Sequence, residues 1–165
     1  MRSTHEKAES LTKDQVLSLD IATHTGYHSV HGSGTWDFTE SMRRNVNKQH
    51  KAFRETVMNY IVEHGIRHIV AEDVSAGTSA GGFKSSVKLA EFRGILLEIC
   101  DTLDLPEPTF INPSTVKKWA TGNGRADKKM MIDFCISRWG INPIDDNEAD
   151  ATHIFMYYIR KNHIY

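Results

Sequence analysis

Apolar and polar positions along the chain alternate between two periods. The run QVLSLDIA, 15–22, is apolar on both faces, which predicts a strand inside a covered sheet. Turn residues in THTG follow. YHSVH, a GSG turn and TWDF then predict two more short strands in hairpin succession. From about Met42 to His64 the period lengthens, and Phe53, Val57, Tyr60 and Ile61 share one face of a helix that Gly65 ends. RHIVAED, 67–73, predicts a second covered strand. SAGTSAGG, 75–82, is too rich in small residues to pack and predicts a flexible loop. A helix over about 85–103 comes next, with Leu89, Phe92, Leu96 and Ile99 as its stripe. PTFIN, 108–112, predicts a short strand, and PSTVKKWAT a helix with Pro113 in its first turn. GNGR separates this from a helix over 127–139, and INPIDD leads into a last helix, 147–161. The order βββαβαβααα predicts an α/β fold, a mixed five-stranded sheet flanked by helices.

Composition narrows the class without changing that picture. The 165 residues, 39% hydrophobic and 25% charged, suit one globular domain over 15–165 behind a polar tail, 1–14. The tail has no hydrophobic signal-peptide core, and no apolar stretch has the length of a membrane span. Cys100 and Cys135 fall in helical patterns and predict buried, reduced thiols, as in a cytoplasmic protein. A formal charge of −1 carries no basic excess of the kind that announces a nucleic-acid binder.

The candidate chemistry lies in the carboxylates. DDNEADATH, 145–153, packs four acids beside an apolar run. Asp145 as N-cap with Glu148 three residues on forms an acidic capping box, and Asp146 falls where the helix dipole favours negative charge. Asp150 lies beyond that turn and shares the inward side with Ile154 and Tyr157. A buried carboxylate there requires a cation, a basic partner or a proton. Asp146 and Asn147, one turn earlier, can face the same point. On the first strand Val16, Ser18 and Asp20 share a face, with Asp20 at the C-terminal end. On the second long strand Ile66, His68, Val70 and Glu72 repeat the arrangement. Parallel neighbouring strands bring those ends together, and a helix across the sheet adds Asp150. Three converging carboxylates repel unless a divalent cation lies among them, and oxygen-only ligands suit Mg²⁺ or Mn²⁺.

With these residues in place, VLSLDIATHTGY, IVAEDV, AEFRG (90–94), VKKW (116–119), GNGRADKK (122–129) and DDNEADATHIF occur in an order and at intervals that carry a resemblance. Over about 16–160 the chain resembles the RuvC-type Holliday-junction resolvases of the ribonuclease H-like superfamily. The resemblance implies metal ligation by Asp20, Glu72 and Asp150. Asn147 stands where many members have Asp or His, so the fourth ligand is either Asn147 or Asp146. It also implies two Mg²⁺ per site, with Mn²⁺ able to substitute, and a homodimer acting on four-way and other branched DNA. Paired phosphodiester hydrolysis would leave 5′-phosphate and 3′-hydroxyl ends. The expected setting is the cytoplasm of a bacterial or phage-infected cell. The rival readings are a related nuclease of flaps, forks or RNA, and a catalytically silent junction-binding protein.

Lys117, Lys118, Arg125, Lys128 and Lys129 surround the GNG turn. They are either a solvated face or, with backbone N–H groups of the turn, a phosphate-binding surface. By the resemblance Lys117 and Lys128 match DNA-contacting lysines and would neutralise developing charge. Lys84, Lys88 and Arg93 add positive charge after the small-residue loop. Phe83 is either a wedge between bases or a core residue capping its helix. Leu89, Phe92 and Leu96 form either a dimer seam or a core stripe. His153, one turn after Asp150, is either a surface residue or a helper in activating water.

Overall fold

The computed structural model describes residues 9–39, 46–74 and 82–165. A 3-10 turn, Lys13–Gln15, leads into β1 (Val16–Asp20), β2 (His24–Ser29) and β3 (Gly32–Asp37). Then come α1 (Val46–His64), β4 (His68–Glu72), α2 (Gly82–Thr102), β5 (Thr109–Ile111), α3 (Pro113–Thr121), α4 (Lys128–Trp139) and α5 (Asp146–Lys161). The sheet order is β3-β2-β1-β4-β5, antiparallel from β3 to β1 and parallel from β1 through β4 to β5. The predicted sequence of elements is the observed one. The hairpin turn, however, falls at Val30 and His31, and GSG lies within β3. Of the predicted loop over 75–82, residues 75–81 lie outside the described residues and Gly82 opens α2; the start of the predicted helix, 42–45, also lies outside them.

The two faces of the central strands bury different helices, as a period-2 pattern with apolar residues on both sides requires. Leu17, Leu19, Ile69 and Ala71 point to one layer and pack on Phe53, Val57 and Ile61 of α1 and Phe92, Leu96 and Ile99 of α2. Phe53 and Phe92 stack at 4.7 Å, joining the two helices. Phe92 and Leu96 are fully buried there and belong to the core, whereas Leu89 of the same stripe is half-buried and outside it. Burying each such side chain contributes roughly 1.5–3 kcal/mol. Val16 and Val70 face the other layer, with Ile154 and Phe155 of α5 and Val116 of α3.

Gly65, at φ 65°, stops α1, and the Ile66 N–H reaches back to the Ile61 carbonyl at 3.0 Å. This closing turn carries Ile66 into the α1–α2 layer, whereas Val70 belongs to the α5 layer. Alternation predicts both on one face; it holds only from His68, where the strand starts. Among the described residues no helix is long and apolar enough to cross a membrane.

Candidate active site

Two strand ends and one helix make the site. The β1–β4 register pairs Leu19 with Ala71, so the next residues along, Asp20 and Glu72, are neighbours at the C-terminal ends of parallel strands. α5 crosses that same face. Ser18 sits one face position before Asp20, and its hydroxyl donates to the Ala151 carbonyl at 2.6 Å, fixing the helix beside the strand. Further along, α5 presses its first turn onto β2, where a Cβ at Gly26 would overlap the Asn147 carbonyl. Gly26 is itself paired with Asp20 across β1 and β2.

The acidic cluster separates as its capping pattern predicts. Asp145 is the N-cap of α5: its Oδ1 accepts from Glu148 N–H at 2.9 Å and from the Thr35 hydroxyl at 2.7 Å. Burial raises the Asp145 carboxyl, but these bonds and those from Asn147 outweigh it and hold it below the usual carboxylate range. Glu148 turns back, its Oε2 accepting from Ile144 N–H at 3.0 Å. Neither faces the strand ends.

Asp20, Glu72, Asp146 and Asp150 do share one electrostatic environment. Asp20 is 7% exposed, and its carboxyl is pushed well above the ordinary range. Burial is the first cause; the charges of Glu72 and Asp150, a hydrogen bond with Glu72 and the charge of Asp146 follow. Asp150 is pushed up to about 7, by burial and then by Glu72, while Lys117 and Lys128 pull in the opposite direction. Lys117 on α3 is half-buried, and exposed Lys128 lies 3.6 Å from Asp146 Oδ2. Asp150 Oδ1 is buried without a hydrogen-bond partner. A buried orphan acceptor among like charges costs several kcal/mol unless a cation completes it. The all-oxygen donor set and this orphan atom fit a hard divalent cation. Among the described residues no three His, Cys, Asp or Glu side chains stand close enough together to hold a metal ion as they are.

Asn147 stands apart from this group. Its amide hydrogen-bonds Asp145, and its carbonyl abuts Gly26. Asp146 is the residue of the first turn whose charge acts on both Asp20 and Asp150.

The other candidates fall in several places. The GNG turn is largely bonded to itself. Gly122 N–H goes to Lys118 O, Asn123 N–H to Thr121 Oγ1, Arg125 N–H to Asn123 Oδ1 and Ala126 N–H to Asn123 O. These four amides are occupied within the turn, which leaves only Gly124 N–H of its glycine-flanked stretch for an outside acceptor. Lys118 and Arg125 are exposed, and Lys129 pairs with Asp133 at 2.6 Å. Lys84 and Lys88 line a hollow of about 290 Å³ with Ala22 and Thr23, the turn next to Asp20. Arg93 pairs with Asp73 at 3.7 Å and lies over the Phe110 ring. Phe83, 84% exposed, is not a core cap.

His153 is neither on the surface nor near water. It is fully buried, its Nδ1 accepts from Trp139 Nε1–H at 3.0 Å, and its Nε2–H donates to Met131 O at 2.8 Å. Both ring nitrogens are occupied, and burial lowers its basicity, so it holds α4 to α5 and moves no proton. Cys100 and Cys135 are free and buried, each thiol pushed up to about 11 by burial. Gly26 and Thr35, which set the position and cap of α5, carry no chemistry-bearing signal in the sequence; a glycine opposite Asp20 in the first hairpin is the only trace.

The fold is found in solved nucleases. It matches T. thermophilus RuvC in complex with a Holliday junction substrate at TM-score 0.68 and 17% identity, covering 89% of this chain and 95% of that one. It matches a yeast mitochondrial Holliday junction resolvase at TM-score 0.54 and 12% identity, covering 93% and 80%. The architecture is therefore ribonuclease H-like, with the carboxylates at the shared end of its central strands. Residues 23–154 match the family RuvC, crossover junction endodeoxyribonuclease, and the chain belongs to that family. The matched span starts just beyond Asp20, whose place follows from β1 itself. A RuvC crossover junction endodeoxyribonuclease from Brachyspira hyodysenteriae is 35% identical over 82 residues, 50% of this chain and 51% of that protein. The alignment thus spans about half the length of that curated relative.

Proposed function

We propose that this chain is a divalent-metal-dependent endonuclease that nicks four-way DNA junctions. The observation that carries this reading is the mutual repulsion of Asp20, Glu72 and Asp150, packed around a buried carboxylate oxygen that lacks a partner. In this reading Asp20, Glu72, Asp150 and Asp146 hold the metal, Mg²⁺ or Mn²⁺. Asp146 is preferred to Asn147 because its charge acts on two of the other three acids. A pair of such ions held there would lower the pKa of a water and offset charge on the leaving oxygen. The residues of the chain do the rest. Asp20 and Glu72, carried on rigid strand ends, orient the scissile phosphate's surroundings; Lys117 and Lys128 offset the negative charge that builds up as the phosphodiester opens. The ends are 5′-phosphate and 3′-hydroxyl. Lys84 and Lys88, beside the Asp20 turn, and exposed Arg125 hold the backbone near the cleavage centre, while exposed Phe83 meets bases. Two copies acting together would cut opposite arms.

The deciding experiment uses a fluorescent four-way junction and compares the parent with Asp20→Asn. Asp20→Asn should bind it with an affinity within a few-fold of the parent and nick it at least ~10³-fold more slowly in Mg²⁺. Nicking that persists in Asp20→Asn defeats the mechanism. Faster cleavage of a flap or an RNA–DNA hybrid by the parent would transfer the substrate assignment to those structures.

A further inference from the structure

A second cationic surface lies on the far side of α3, away from the carboxylates. Ser114, Thr115, Lys118 and Trp119 of α3 and Tyr157 and Lys161 of α5 line a groove of about 470 Å³. Its floor is aromatic: Trp119 meets the edge of Tyr157 at 5.5 Å and stacks with Trp139 at 5.6 Å. Lys118 and Lys161 line the groove, and two arginines outside its lining cover the tryptophan pair beside it. The Arg138 guanidinium lies 4.6 Å from both tryptophan rings, Arg160 lies 4.8 Å over Trp139, and the Lys161 ammonium stands 5.9 Å over Tyr157.

Among the described residues the Lys and Arg ion pairs involve Lys51, Arg54, Arg93, Lys128 and Lys129, and none of these groove cations. Arg138 is committed to the Trp119 and Ala120 carbonyls. Lys118, Arg160 and Lys161 are exposed and, among the described residues, pair with no carboxylate. A run of unopposed cations over flat aromatic faces complements a polyanion with stacked rings. The groove is also tied to the carboxylates by the helices that make it. Lys117 acts on Asp150 from α3, while its neighbour Lys118 opens into the groove. Tyr157 and Lys161 lie seven and eleven residues after Asp150 on α5, about 10 and 16 Å along the axis.

We propose that this groove is a second nucleic-acid contact, one that grips the phosphate backbone of an arm leading away from the cleavage centre. This rests on the nuclease reading above. Lys161 on one wall and Arg160 just beside it, over Trp139, take phosphates, Lys118 closes the opposite wall, and Tyr157 and Trp119 form the floor. At 3.4 Å of rise per nucleotide, 16 Å is on the order of five nucleotides from the nicked phosphate.

The test measures binding of the full chain to a four-way junction and to a linear duplex in chelator, across a range of salt. Removing one phosphate-binding cation lowers the slope of log affinity against log salt by about 0.9. The double variant Arg160→Gln, Lys161→Gln should lose about 2 from that slope on both DNAs, and hydroxyl-radical protection should disappear about five nucleotides from the nicking position. Lys161→Arg, which keeps the charge, should retain the parent slope and footprint. An unchanged slope and footprint in the double variant would mean a solvated helix end, and would overturn the proposal. Because the readout needs no cleavage, a chain that shows the slope change but fails to nick junctions would keep the groove and lose the nuclease reading.

Discussion

Gly26 and Asn147 touch backbone to backbone across the β2–α5 interface, so close that a single methyl group at residue 26 would overlap the Asn147 carbonyl. The contact matters because of what each partner carries. Gly26 is paired with Asp20, and Asn147 lies just inside the Asp145 cap of α5, between Asp146 and Asp150, the two acids of that helix whose charges act on Asp20.

Gly26→Ala should therefore displace the first turn of α5. Overpacking of this kind costs about 1–3 kcal/mol, which for a chain of this size is roughly 3–10 °C in Tm. Nicking should fall further than the lost stability explains, by at least ~10²-fold at a temperature where the variant is fully folded, because Asp146 and Asp150 move with the turn. A melting curve and a nicking rate on one preparation separate the two effects. A Tm loss with an unchanged rate would show that the turn is not coupled to the acids.

How much of this was legible follows from where each signal resides. Strand alternation is local, so it located Asp20 and Glu72 at strand ends, and helical spacing separated Asp150 from the capping pair Asp145 and Glu148. Contacts between elements are not local. Nothing near His153 in sequence shows that Trp139 and Met131 occupy both its ring nitrogens. Nothing in GNGR shows that Thr121 and Asn123 take up the amides of Asn123, Arg125 and Ala126. Ile66 follows a helix-closing turn rather than the strand pattern, so counting by twos placed it on the wrong face. The Phe92–Leu96 stripe reads alike as core or seam, and only the presence of α1 against it decides for core.

His28 provides a pH test. Its Nδ1 meets Thr152 Oγ1 at 3.0 Å, and that hydroxyl donates to Glu148 O, so the ring is neutral and donates from Nδ1. Burial lowers it to about 4, against 6.5 when exposed. A base lowered by folding contributes its full stability above pH 6.5 and loses it as the pH falls through 4. The loss approaches roughly 3 kcal/mol by linkage. The expected result is a difference of slopes: between pH 6.5 and 4 the Tm of His28→Gln should fall less steeply than that of the parent. Parallel curves would assign the acid sensitivity to other groups.

Lys117 is the half-buried cation whose charge opposes the rise of Asp150. Lys117→Met should slow nicking by about 10²-fold, the scale of removing one charge-stabilising donor. It should also move the acid limb of the pH–rate profile to higher pH, since Asp150 loses the group that favours its ionised form. Lys117→Arg should restore the limb. Lys128, far more exposed, should show a smaller effect of the same sign.

Asp145 and Asp150, five residues apart on one helix, should respond in opposite ways. Asp145→Ala removes a cap that binds both Glu148 N–H and Thr35, and should cost about 1 kcal/mol with or without divalent metal. Asp150→Asn instead relieves a buried carboxylate repelled by Glu72 and Asp146. In chelator at about pH 8 it should melt at or above the parent's Tm. Adding millimolar Mg²⁺ should raise the Tm of the parent and of Asp145→Ala, because a ligand that binds only the folded state stabilises it by mass action. Asp150→Asn should show no such rise. A Mg²⁺ shift retained in Asp150→Asn would remove Asp150 from the ligand set, whatever its effect on nicking.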